Sequence, residues 1–118
     1  MASILLSADL IFVSKLDAAA ARGGTTIRTA SSLKSLIEAA TDQAATMVIV
    51  DLSLPGLDVG AAIERIRGLP HPPQTVIAFG PHVHTAKLAE AEKAGFDAVL
   101  SRGQFNAEMD DWLRGGPA

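Results

Sequence analysis

Apolar residues along the chain gather in five short runs, separated by longer stretches in which they recur every three or four positions. The runs are "SILLS" (3–7), "TTIRT" (25–29), "TMVIVD" (46–51), "QTVIAF" (74–79) and "DAVLS" (97–101). The third and fourth are nearly unbroken, as in strands covered on both faces, so they are expected at the centre of a sheet. Between the runs, "DLIFVSKLDAAAARGG" sets Phe12, Leu16 and Ala19 at helical spacing and stops at Gly23 and Gly24. "SSLKSLIEAATDQ" takes Ser31 or Ser32 as its N-cap. "DVGAAIERIRG" places Ile63 and Ile66 on one face, and "HTAKLAEAEKAG" ends at Gly95. A last amphipathic piece, "FNAEMDDWLRG", is expected to turn Phe105, Met109, Trp112 and Leu113 inward. Strand and helix alternate five times, which predicts a parallel sheet with helices on both faces and right-handed crossovers.

Punctuation inside the chain is sparse. "GLPHPPQ" (68–74) reads as a Pro-rich loop and "GGPA" as a frayed tail. The chain stops there, so the expectation is a single domain over 1–118 with no output domain. With 118 residues, 48% hydrophobic content and a mean hydropathy of +0.27, one compact core is the expectation. No apolar stretch reaches the roughly 20 residues that span a bilayer, and no basic flank precedes an N-terminal apolar segment, so a cytoplasmic protein is expected. The absence of cysteine removes disulfides, thiolate metal sites and thiol nucleophiles. A net charge of −3 with dispersed Lys and Arg offers no basic stripe for nucleic acid, and 4% aromatic content offers few stacking platforms.

In open parallel sheets the working groups lie at the carboxyl ends of the strands. Here those ends are Ser7-Ala8-Asp9, Asp51, Gly80-Pro81 and Ser101-Arg102. Two carboxylates and a guanidinium would converge. Neighbouring acids repel, so the arrangement calls for a divalent cation, a phosphoryl group or a permanent Arg partner. Magnesium needs only a few such oxygens, and Asp9, Asp51 and the backbone carbonyl of Ser53 would suffice.

"VIVDLSLPGLDVG" and "AEKAGFDAVLSR" resemble the phosphoacceptor strand and the fifth-strand approach of response regulator receiver domains, and the likeness spans nearly the whole chain. The resemblance implies a CheY-like, flavodoxin-like three-layer α/β sandwich with strand order 2-1-3-4-5. It puts Asp51 in the place of the aspartate that takes a phosphoryl group from a histidine kinase. Pro55, Gly56 and Asp58 fall where the family's Pro-Gly and Asp recur, with Val59 where Gly is usual. Of the family's acid pair, Asp9 stands for the acid that touches the metal and Ala8 replaces the other. Gly80 replaces the hydroxyl residue that swings to the phosphoryl oxygen, Arg102 replaces the lysine, Gly103 replaces the following Pro, and Val99 replaces the rotating aromatic. Arginine is a planar fork where lysine is a point charge, so that exchange is not conservative.

The resemblance therefore implies an atypical single-domain receiver in two-component phosphorelay signalling, acting mainly by protein contact and not as an enzyme. Its partners would be a histidine kinase, a phosphotransfer protein or another signalling protein. The family's partner face maps to Lys87, Glu90, Val99 and Asp111 and is also where a homodimer would form. A functional receiver phosphorylated at Asp51 is the alternative, and an unrelated flavodoxin-like ligand binder a further one, although "SADLIF" lacks the glycines of a phosphate loop. Local readings stay open beside these. Asp51 could close an Asx turn, Asp9 could cap a helix, and Arg102 could be a loop cation or a standing ion pair with Asp51. His71, His82 and His84 read as surface histidines in preference to a zinc site, and Gly80 with the next amides could form an anion nest.

Overall fold

The computed structural model describes residues 2–115, in which five strands alternate with five helices. In chain order these are β1 (Ala2–Leu6), α1 (Leu10–Arg22), β2 (Thr26–Ala30), α2 (Leu33–Asp42) and β3 (Met47–Asp51). There follow α3 (Val59–Arg67), β4 (Thr75–Gly80), α4 (Thr85–Ala94), β5 (Ala98–Ser101) and α5 (Arg102–Leu113). All strand pairs are parallel, and the sheet order is β2-β1-β3-β4-β5. This is the flavodoxin-like architecture expected from the sequence. No helix among the described residues is long and apolar enough to cross a membrane.

Period-two alternation divides the core. In β3, Met47 and Ile49 face the layer of α1 and α5, packing with Leu5, Phe12, Phe79 and Phe105. Val48 and Val50 face α2, α3 and α4, packing with Leu6, Leu36, Ile63 and Ile66. Every residue of β3 is buried, so this strand shows no polar face in the sequence. Each Val, Leu or Ile so buried contributes about 1.5–3 kcal/mol relative to exposure.

Local chemistry fixes the element ends. Asp9 and Ser32 cap α1 and α2, and Asp58 caps α3 by accepting from the Ala61 amide. The Pro55-Gly56 turn closes with the Leu57 amide on the Leu54 carbonyl at 3.2 Å, and Gly56 takes φ +74°. That conformation suits glycine at the third position of a type II turn. α5 begins three residues earlier than its apolar periodicity suggests, because the Ser101 hydroxyl accepts from the Gln104 amide. Ser101 and Gln104 have the spacing of a capping box, a signal that Gly103 inside the segment obscures. Trp112 is half-buried, while Phe105, Met109 and Leu113 are buried as expected.

Candidate functional site

The register aligns the strand ends. Leu6 pairs with Val50, Asp51 with Phe79, and Gly80 with Ser101, so the residues that follow β1, β3 and β5 meet at one edge of the sheet. There Ser7, Asp9, Asp51 and Arg102 come together. A cleft of about 330 Å³ opens beside them, lined in part by Ala8, Ser53 and Pro55.

Asp51 is 2% exposed, and both of its carboxylate oxygens have donors. Oδ1 accepts from the Ser53 amide at 2.9 Å, the Asx-type closure that a strand-end aspartate makes. Oδ2 accepts from the Ser7 hydroxyl at 2.7 Å. Ser7 is itself 1% exposed and also accepts from the Asp9 amide, so it links the end of β1 to the end of β3. In the sequence Ser7 is a plain strand-end residue with no motif to mark it. Its signal was position alone: a small hydroxyl directly after an apolar strand, opposite the end of the neighbouring strand.

Asp9 serves as helix cap and as charge partner together. Its Oδ1 accepts from the Ile11 and Phe12 amides, each at 3.1 Å, and its Oδ2 accepts from Arg102 Nη2 at 2.9 Å. The Phe12 amide first, then Arg102, holds the Asp9 carboxyl below its ordinary value.

Arg102 stands in an ion pair, but chiefly with Asp9. Its Nη2 lies 4.0 Å from Asp51 Oδ2, at the limit of a direct pair. The guanidinium carbon sits 5.5 Å from the centroid of the Phe12 ring, a cation–π distance. Phe12 in turn stacks on Phe79 at 4.5 Å, and Phe79 on Phe105 at 5.0 Å. The cation therefore rests on an aromatic stack rooted in the core, with an acid on either side. Its Nε is buried without a hydrogen-bond partner.

Gly80 is the last residue of β4 and is buried against Leu52. A Cβ built there would lie 3.3 Å from the Leu52 Cβ, a tight approach, and 3.7 Å from Leu88 Cδ2, an ordinary contact. Of the residues mapped to a partner face, Glu90 and Asp111 are exposed, Lys87 is half-exposed, and Val99 packs partly against the core. His71, His82 and His84 are exposed. Among the described residues no group of three or more His, Cys, Asp or Glu gathers as a metal-holding set.

The donor chemistry of Asp9 and Asp51 suits magnesium, which prefers hard carboxylate oxygens. Each acid keeps acceptor capacity beyond its present donors, and Arg102 is the charge that such an ion would meet. All four carboxylate oxygens already accept from protein donors, and a guanidinium occupies the space between the two acids.

No family model matches this chain, and no curated protein matches it. Solved structures do. The receiver domain of a sensor histidine kinase from Pseudomonas aeruginosa, with magnesium coordinated in its active-site cleft, superposes with a TM-score of 0.81 at 18% identity, covering 97% of this chain and 94% of that one. A receiver domain from Bermanella marisrubri gives a TM-score of 0.78 at 20% identity, covering 97% and 95%. An orphan response regulator of H. pylori gives 0.75 at 12% identity, covering 98% and 92%. With these neighbours and the strand order 2-1-3-4-5, the chain has the fold of response regulator receiver domains.

Proposed function

We propose that this chain is an atypical receiver in two-component phosphorelay signalling, with Asp51 at the phosphoacceptor position, and that it works mainly through protein contact. The observation that carries the reading is the burial of Asp51: a 2% exposed carboxylate with a donor on each oxygen, at the tip of the central strand. A nucleophilic carboxylate needs an open line of approach and charge neutralisation as the phosphoryl group arrives. Here neutralisation comes from Arg102, which is committed first to Asp9. The readout is altered as well. Gly80 has no hydroxyl to move, and Val99 packs partly against the core with no aromatic ring to rotate.

Such a module acts without catalytic turnover of its own. A histidine kinase, a phosphotransfer protein or another signalling protein in the cytoplasm would engage it through the face around Lys87, Glu90, Val99 and Asp111, where a homodimer would also form. Magnesium of the kind held by the Pseudomonas receiver would here use Asp9, Asp51 and the Ser53 carbonyl.

Incubation with acetyl phosphate and magnesium, followed by intact-mass measurement, tests the proposal. The expected result is no lasting phosphoryl adduct. A second reading, a functional receiver, is favoured by the 330 Å³ cleft that borders Asp51. It requires a mass increase of one phosphoryl group, with acetate released, that disappears in Asp51→Asn.

A further inference from the structure

We infer that Arg102 and a divalent cation compete for the same place between Asp9 and Asp51, so that this chain carries its own tethered counter-ion and binds magnesium only as far as the guanidinium is displaced. The inference stands on the geometry of the cleft and does not depend on whether Asp51 is phosphorylated.

One nitrogen, Arg102 Nη2, touches Asp9 Oδ2 at 2.9 Å and lies 4.0 Å from Asp51 Oδ2. A magnesium ion held by these acids would draw on hard carboxylate oxygens and keep several waters, and at Asp9 it would meet the guanidinium already paired there. The internal cation also starts with an advantage in local concentration. Arg102 is the first residue of α5, whose start is fixed by Ser101, and its side chain lies over Phe12, which stacks on Phe79 and Phe105. A tethered group of this kind pays little of the entropy that a free ion loses on binding. Arginine keeps its charge throughout the working pH range, so the competition does not relax when the solution is made mildly alkaline.

The guanidinium is nevertheless displaceable. Its side chain is 40% exposed, and its buried Nε has no partner, so moving outward regains water at that atom. High magnesium should therefore drive Arg102 off the acids and seat itself in its place.

Magnesium titration at constant ionic strength, followed by amide NMR and by calorimetry, tests this in the wild-type chain and in Arg102→Met. The expected result is at least tenfold tighter magnesium binding in Arg102→Met, with the affected amides near Asp9, Asp51 and Ser53. Equal or weaker binding in the variant overturns the inference. The wild-type chain supplies a second readout should the variant fold poorly. If magnesium perturbs the Asp9 and Asp51 amides, the Arg102 Nε–H signal must shift in the same titration. Perturbation of both acids with an unmoved Arg102 signal likewise overturns it.

Discussion

Arg102 donates to Asp9 at 2.9 Å while the same nitrogen stands 4.0 Å from Asp51, so one cation serves two acids and favours the outer one. Asp9 is one-third exposed, whereas Asp51 is almost wholly buried. The buried acid relies instead on the Ser7 hydroxyl and the Ser53 amide. Charge compensation and hydrogen bonding are thus divided between two carboxylates that a simple strand-end argument treats alike.

The double duty of Asp9 separates into its parts by substitution. Asparagine caps a helix about as well as aspartate, but carries no charge for Arg102. Asp9→Asn should therefore lower the thermal midpoint less than Asp9→Ala, which removes cap and ion pair together. Thermal unfolding of the two variants checks the order, and equal losses would mean that the cap at Ile11 and Phe12 contributes nothing.

The Asp9 carboxyl should titrate below its ordinary value, and carbon-detected NMR of the side chain reads this directly. Arg102→Met should raise it only in part, because the Phe12 amide is the larger cause and persists. The sign follows from linkage. A folded-state value below the unfolded one gives a stabilisation that is present above the ordinary carboxylate range and is lost as pH falls through the folded value. Acid unfolding of Arg102→Met should thus depend less on the protonation of Asp9 than that of the parent chain.

Removing the Ser7 hydroxyl leaves a buried carboxylate oxygen short of its closest donor. Ser7→Ala should cost about 1–3 kcal/mol in urea unfolding at neutral pH. Combined with Asp51→Ala, the two losses should sum to less than their separate values, because the shared hydrogen bond is removed only once. Strict additivity would show that the 2.7 Å contact does not couple the strand ends.

Placing a hydroxyl-bearing residue at the end of β4 should meet resistance from packing. Gly80→Thr brings a branched side chain against Leu52 and Leu88, and overpacking of this kind costs about 1–3 kcal/mol. Gly80→Ala should cost less, since only the 3.3 Å approach to the Leu52 Cβ must relax. Chemical denaturation of both variants checks the ranking.

The sequence by itself determined the order of elements, because that information is local. Apolar runs of strand length, helical repeats ending at Gly23 and Gly95, and caps such as Ser32 depend on residues a few positions apart. The unbroken run ending in Asp51 placed that acid at the tip of a central strand, and the other strand ends followed from parallel alternation. The outline of the site was legible for this reason. The tertiary structure decided who partners whom. Asp9 and Arg102 are 93 positions apart, and Ser7 and Asp51 are 44 apart, so no local pattern could report that the arginine favours Asp9 or that a serine holds the buried acid. The tight approach beside Gly80 is likewise set by Leu52 and Leu88, brought there from the turn after β3 and from α4. Contact distances of a few tenths of an ångström depend on packing across layers, which no local pattern in the sequence records.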